Sequence, residues 1–131
     1  MKVLLACLAD YANADQAGNK LNVMGIFDVI RSKEFPARHP KMCLVFRLMF
    51  EQEDSGKAHK LSVVLRDADH REYQRLDEKI EAGAVPSGEF VSANQIIEMV
   101  DVVFAKPGRY HFALRPDNEA EFRVPLRLVK I

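Results

Sequence analysis

The stretch KMCLVFRLMFE, Lys41–Glu51, has the clearest secondary-structure signal in the chain. Its residues alternate with a period of two, as in a β-strand, where successive side chains point to opposite faces. One of the two faces is apolar throughout and consists of Met42, Leu44, Phe46, Leu48 and Phe50. The pattern predicts a strand that packs this face into the protein core.

The same alternation returns after a polar connection. Leu61, Val63 and Leu65 alternate with polar and charged residues, and the segment EQEDSGK, residues 51–57, carries the Ser-Gly pair of a turn. We therefore expect the strand 41–51 to pair with the strand around Val63 as an antiparallel hairpin.

Further strands are expected upstream. A strand begins at Lys2, a polar loop covers residues 13–20, and a second strand covers Leu21–Ile30. Gly25 lies inside that second strand and predicts a bulge, because a strand glycine usually marks one or a close backbone approach. The segment SKEFPARHPK, residues 32–41, has two prolines and is interpreted as a crossover between sheets rather than a central strand.

The segment DADHREYQRLDEKIEAGA, residues 67–84, fits two structures. As a short helix near residues 70–82, it has Asp69 as N-cap with Glu72 three residues later. As a strand, it has DADH as a turn followed by a polar strand. We favour the strand because short strands are predicted on both sides, and the helix stays as the alternative.

The last third of the chain predicts three more strands. Residues 92–104 are rich in β-branched residues and apolar on both faces, so a loop, a sheet or another subunit should cover each face. Tyr110, Phe112 and Leu114 alternate inward and, after the turn 116–120, so do Phe122, Val124, Leu126 and Leu128. Pro125 belongs at an edge or a bulge.

Seven to eight short strands separated by turns predict an all-β fold, an antiparallel β-sandwich that is immunoglobulin-like or similar. A closed barrel is the alternative. Tyr110 stands near a strand start, where such a sandwich places a corner tyrosine with a structural role. With 131 residues and no internal repeat or linker, we expect one domain over residues 1–131.

Several of these segments also resemble a known family. They are LADYAN, GNKLNVMGIFDVI, HPKMCLVFRL and FAKPGRYHFALRPDNEAEFRVPLRL, which together span most of the chain. The sequence resembles a bacterial family of similar length that has only a domain-of-unknown-function label. The resemblance implies a small β-sandwich and supplies no catalytic or binding residue.

Composition and motifs favour an ordinary cytoplasmic protein. Nineteen basic residues balance nineteen acidic ones, so the whole molecule has no field that attracts nucleic acid or membrane, and neither is an expected partner. The apolar run 3–6 is too short for a signal peptide, and no stretch reaches a membrane span. Cys7 and Cys43 lie in apolar runs and are interpreted as reduced thiols. Cofactor, metal and nucleophile motifs are absent, so we expect no cofactor and no metal.

One basic patch is the candidate site. If Tyr110, Phe112 and Leu114 face inward, their neighbours face outward, and the same holds across the hairpin. The resulting patch consists of Arg109, His111, Arg115, Arg123 and Arg127. It suits an anion or an acidic partner, while the ordinary explanation is a solvated face or ion pairs with an adjacent strand.

Three functional hypotheses follow. The first is a non-enzymatic interaction or assembly module with an unknown protein partner or with itself. The second is a small-ligand or anion-binding sandwich, in which reversal of Arg123 and Arg127 to Glu would abolish binding and leave the fold intact. The third is an enzyme whose site forms only in three dimensions. Its candidate residues are Asp28, His39, His59 and Asp101, and a deep pocket lined by several of them would support it.

Overall fold

The computed structural model describes residues Met1–Ile131 and is all-β, with a single 3-10 turn at Gln52–Asp54. The nine strands are β1 (Lys2–Asp15), β2 (Lys20–Phe27), β3 (Val29–Ser32), β4 (Ala37–Phe50), β5 (Ala58–Asp67), β6 (Glu72–Glu81), β7 (Val91–Phe104), β8 (Gly108–Pro116) and β9 (Phe122–Lys130). They form a four-stranded sheet in the order β2-β1-β4-β7 and a five-stranded sheet in the order β3-β9-β8-β5-β6. The structure contains no helix that could span a lipid bilayer.

The predicted β-sandwich is confirmed. The inward faces of both sheets meet in one cluster of 21 buried residues, which contains the whole apolar face predicted for β4. Tyr110 closes one end of this core, where its hydroxyl donates a hydrogen bond to the carbonyl of Lys106 at 2.7 Å. This contact is the structural role expected of a corner tyrosine. The strand order, however, differs from the ABED and CFG order of an immunoglobulin domain.

The predicted hairpin between β4 and β5 is wrong. β4 pairs with β1 on one side and with β7 on the other, whereas β5 pairs with β6 and β8 in the opposite sheet. Residues 51–57 therefore form an arch between the sheets, built on the 3-10 turn. Asp54 anchors this arch by accepting a hydrogen bond from the amino terminus at 2.7 Å. Alternation identifies a strand but not its partner, and both edges of β4 are taken by other strands.

The segment 70–82 is a strand, as favoured, and the helical alternative is wrong. β6 pairs antiparallel with β5 along nearly its whole length. Tyr73 and Ile80 pack against the core from this strand. The hydrogen bonds offered by the free edge of β5 decide between the two structures, since local propensity alone is weak.

The structure has one strand more than the upper predicted number. The expected strand Leu21–Ile30 breaks at Asp28 into β2 and β3, which belong to different sheets. β3 pairs with β9 in parallel, with Ile30 opposite Leu128. The sandwich is thus antiparallel apart from this one short pair.

The crossover predicted at residues 32–41 is present but shorter: residues 33–36, which include Pro36, connect β3 of the five-stranded sheet to β4 of the four-stranded sheet. Only the second proline, Pro40, lies in a strand, inside β4, contrary to the prediction. Its missing N–H removes no hydrogen bond to β1, because β1 pairs with β4 only as far as Cys43. Opposite Pro40 lies Asp101 of β7, with a left-handed φ of 54°. Pro125 similarly lies at a local edge, because the partner β3 begins two residues later, opposite Arg127.

A sharp bend separates the two halves of the β1–β2 hairpin. Gly25 has φ 73°, and a Cβ at this position would come within 2.6 Å of the Asp10 carboxylate. Glycine is therefore required here for both the backbone conformation and the space. Beyond the bend, we call residues 10–25 the hairpin arm.

The hairpin arm folds back over the outer face of the four-stranded sheet. Ala9, Cys43 and Val45 point away from the main core but are fully buried, because the arm covers them and forms a second, small cluster. The residues packed against that cluster are Cys7, Ala12, Leu21, Val23 and Ile96. Both cysteines are free thiols. At the tip, Arg47 donates to the carbonyl of Asn19 at 2.9 Å and fixes the arm to β4.

Candidate anion-binding face

The five residues of the predicted patch lie together on the outer face of the five-stranded sheet. Strand register brings them close: Arg109 is directly opposite Arg127, and Arg123 is opposite Ala113. β5 and β6 extend the set with further basic residues. We call this surface the cationic face, and its basic residues are Lys60, Arg66, Arg75, Lys79, Arg109, His111, Arg115, Arg123 and Arg127.

The centre of the cationic face is apolar and shielded from solvent. Val64 and Ala113 point outward, yet each is only 2% exposed. They lie directly opposite each other on β5 and β8, next to Arg123 of β9. Long arginine side chains bury their aliphatic stems along apolar surface and keep their charged ends in water. The arginines around this small apolar centre are therefore held in place by packing as well as by charge.

Glu121 sits among three of these arginines. Its Oε1 accepts hydrogen bonds from Arg66 at 2.7 Å and Arg115 at 3.2 Å, and its Oε2 accepts one from Arg123 at 3.3 Å. The side chain is 10% exposed. Burial alone would raise the pKa of Glu121, but the hydrogen bonds and charges of Arg66, Arg123 and Arg115 lower it below its usual value. One carboxylate thus accepts hydrogen bonds from three guanidinium groups.

Arg109 and Arg127 have no such partner. Both side chains are exposed, they face each other across β8 and β9, and no carboxylate lies within 4 Å of either. Like charges directly opposite on neighbouring strands are destabilising. This end of the cationic face therefore has a positive charge that the protein itself leaves uncompensated.

A cleft of about 500 Å³ lies beside the uncompensated pair. His111 lines it, and its Nε2 is buried without a hydrogen-bond partner. The ring of His70 packs edge-on against that of His111, with ring centroids 6.0 Å apart. Burial first, and then the charges of Arg123 and Arg66, lower the pKa of His111 below its usual value.

The turn that carries His70 is built by Asp67. Oδ1 of Asp67 accepts hydrogen bonds from the backbone N–H groups of Asp69 and Arg71, and Oδ2 accepts one from the Tyr73 hydroxyl at 2.8 Å. These bonds, led by that of Tyr73, lower the pKa of Asp67. His70 itself has a left-handed φ of 62°. Asp67 thus holds the position of His70 at the rim of the cleft.

The opposite end of the cationic face is better balanced. A second cleft of about 480 Å³ is lined there by Lys60, Ser62 and Arg115, among others. Arg75 at its rim is paired with Asp77 at 3.0 Å and with Glu72 at 3.4 Å. The excess of positive charge is therefore greatest at the Arg109 end.

A protein-family model described as a family of unknown function, DUF6941, matches residues 4–129. The chain belongs to this family. No curated protein and no solved structure matches the chain. The predicted membership of a domain family of unknown function is thus confirmed, and DUF6941 supplies no reaction, ligand or partner, so the site rests on the geometry alone.

Sequence reasoning missed the basic residues that β5 and β6 add to the cationic face, Arg66 among them, and also Glu121 and His70. Arg66 is outward on β5 by simple alternation, but its neighbourhood with His111 depends on β5 pairing with β8. Glu121 stands just before β9, where no pattern predicts that a side chain folds back over the sheet. The signal available for His70 was its place in the turn DADH.

The residues suggested for an enzyme site do not come together. His59 is buried, bound through Nδ1 to Asp117 at 2.7 Å and through Nε2 to the carbonyl of Asp54 at 3.1 Å. His39 packs against the ring of Phe27 instead. The five main clefts are lined by neither of these histidines, nor by Asp28 or Asp101.

Proposed function

We propose that this protein is a non-enzymatic interaction module that binds an acidic segment of a protein partner across the cationic face. The observation that carries this proposal is the concentration of basic side chains on an outer sheet face that no part of the chain covers. Six of the nine are arginines, which suit carboxylate groups because the guanidinium fork makes two parallel hydrogen bonds.

The shape of the cationic face supports an extended macromolecular ligand. Both of its clefts are shallow depressions in an open sheet surface, separated by the arginines around Glu121. A row of separate positive charges on a broad surface gives an acidic segment several points of attachment. Binding of this kind is strongly dependent on salt.

Nucleic acid fits this surface less well. Single-stranded nucleic acids bind through aromatic side chains that stack on bases, interleaved with basic residues. No Phe, Tyr or Trp points outward from β5, β8 or β9 among the arginines of the cationic face. We also propose a cytoplasmic location, since the free thiols Cys7 and Cys43 suit a reducing compartment.

A ten-residue glutamate peptide with a fluorescent label tests the proposal by anisotropy at low salt. The wild-type protein should bind it, and the double variant Arg109→Glu with Arg127→Glu should bind at least about tenfold more weakly. This pair is a cleaner choice than Arg123 with Arg127, because Arg123 is bonded to Glu121.

The matched control is Lys20→Glu with Lys33→Glu. Both lysines are exposed, lie outside the cationic face and make no ion pair, so the net charge changes equally. Near wild-type affinity of the control supports the proposal. Equal weakening of both double variants, or no binding by the wild type, would show that the cationic face is not a specific docking surface.

Self-association is a second candidate, favoured by the edge strand β7. It has 14 residues, no Lys, Arg or Pro, and exposed valines at Val100 and Val103. Lysine, other charged residues and proline usually protect the edge strands of soluble sheets against pairing with another chain. A long edge without Lys, Arg or Pro offers a pairing site for a second copy. Sedimentation velocity should then show a dimer that Val103→Lys reduces to monomer, and a monomeric wild type at high protein concentration would reject this candidate.

A further inference from the structure

The uncompensated end of the cationic face has room and charge for a more specific ligand than a carboxylate. Arg109 and Arg127 are adjacent by strand register, and Arg123 lines the same cleft. Three guanidinium groups around one cleft match an anion with several oxygens and two negative charges, and arginine forks bind phosphate oxygens in pairs.

The neighbouring cluster shows how this sheet face holds an anion. There, Arg66, Arg115 and Arg123 surround one carboxylate, that of Glu121, which is supplied by the chain itself. At the cleft, Arg109 and Arg127 also lie near each other, but the chain supplies no anion. The position of the missing negative charge is therefore open to a ligand from outside.

His111 adds a second, independent feature of the cleft. Its buried Nε2 lacks any partner in the protein, although nearly all buried polar atoms in folded proteins have one. The charged and titratable groups that face His111 are Arg66, Arg123, His70 and Glu121. A dianion in the cleft would offset the two arginines and so favour protonation of His111.

We propose that this cleft binds the phosphate group of a phosphorylated side chain. The proposal rests on the function proposed above, because the phosphorylated residue would lie within the acidic segment that crosses the cationic face. The cleft volume of about 500 Å³ exceeds that of a phosphate group, which leaves space for the side chain that carries it.

Three probes test the proposal by calorimetry: an acidic ten-residue peptide with one phosphoserine, the same peptide with Glu at that position, and inorganic phosphate alone. The phosphopeptide should bind about tenfold more tightly than the Glu peptide. Arg109→Gln with Arg127→Gln should remove this difference, whereas Lys20→Gln with Lys33→Gln, outside the cationic face, should leave it unchanged.

Sulfate gives a second measurement, since it keeps its charge where phosphate titrates, near pH 6. Nuclear magnetic resonance titration of the His111 ring should show a higher pKa with sulfate present, and no change in the Arg109→Gln, Arg127→Gln variant. Binding of sulfate should therefore strengthen as the pH falls from 8 to 6.

Each other outcome overturns a defined part of the inference. Equal affinity for the phosphopeptide and the Glu peptide would reject the phosphate site and leave the acidic-partner function standing. Inorganic phosphate that binds as tightly as the phosphopeptide would assign the cleft to a free small phosphate instead of a protein side chain. If none of the probes binds, both this inference and the proposed function are wrong.

Discussion

The outer faces of the two sheets differ in how the chain treats them. On the four-stranded sheet, apolar outward residues such as Cys43 and Val45 are covered by the protein's own hairpin arm. On the five-stranded sheet, many of the outward residues are basic and no segment of the chain covers them, although the carboxylate of Glu121 lies among three of the arginines.

This difference distinguishes a surface that the fold covers from a surface that we propose binds a partner. An apolar face must be covered to gain stability from burial, and the hairpin arm provides most of that cover within the chain, although Met24 and Ile26 on its outer side stay 66% exposed. Opposed arginines such as Arg109 and Arg127 gain nothing from each other. The external anion that we propose would offset this repulsion.

The largest expected effects compare the two sides of β4. Phe46→Ala removes a side chain from the main core and should lower the free energy of unfolding by about 3–5 kcal/mol. Val45→Ala, one residue away under the hairpin arm, should lower it by only about 2 kcal/mol, since fewer methyl groups leave a smaller cluster. Urea denaturation measures both. Equal decreases in the free energy of unfolding would contradict the view that the cluster under the hairpin arm contributes less than the main core.

Glu121→Gln tests the internal anion of the cationic face. Loss of the charged hydrogen bonds to Arg66, Arg115 and Arg123 should lower the free energy of unfolding by about 2 kcal/mol at pH 7. Because folding lowers the pKa of Glu121, its contribution is complete above the unfolded-state pKa of about 4.3 and disappears as the pH falls through the lower, folded-state value. The difference between wild type and variant should therefore vanish in acid, and a constant difference from pH 7 to pH 2 would contradict this account.

Gly25→Ala tests the bend that places the hairpin arm. Alanine at φ 73°, with its Cβ 2.6 Å from the Asp10 carboxylate, should lower the free energy of unfolding by about 1–2 kcal/mol. Hydrogen exchange should accelerate in residues 12–23 and remain unchanged on β8 and β9. Unchanged exchange in the arm would show that the bend does not depend on the glycine.

Arg109→Glu has the smallest expected effect and the opposite sign. The new carboxylate lies directly opposite Arg127, so the fold should become more stable by about 0.2–1 kcal/mol. The same change should weaken binding of the glutamate peptide. Thermal denaturation and anisotropy on one sample measure both properties. Decreased stability would contradict the claim that this arginine pair is unfavourable without a ligand.

Much of the fold was predictable because alternation is a local property. The apolar faces of β4, β8 and β9 and the strand character of residues 72–81 follow from side-chain periodicity and flanking turns. The pairing of β4 with β7 and the parallel contact of β3 with β9 do not, since they join segments far apart in the sequence. Polar loops of similar composition make hairpins within a sheet and arches between sheets.

The candidate site, like the fold, was predictable where it depends on local alternation and not where it depends on tertiary packing. The outward orientation of Arg109, His111 and Arg123 follows from alternation within one hairpin. The return of Glu121 over the sheet and the contact of His70 with His111 depend on tertiary packing. Which arginines are compensated, and which are free, was therefore accessible only from the structure.

The central claim is that the cationic face, and not the covered face, binds an acidic partner. Amide chemical shifts of the isotope-labelled protein, followed during addition of the glutamate peptide, test it across the whole chain in one measurement. We predict shift changes along β5, β8 and β9, largest near Arg109 and Arg127, and none in the hairpin arm. Changes centred on the arm or on β7, or changes scattered over all exposed lysines, would contradict the account.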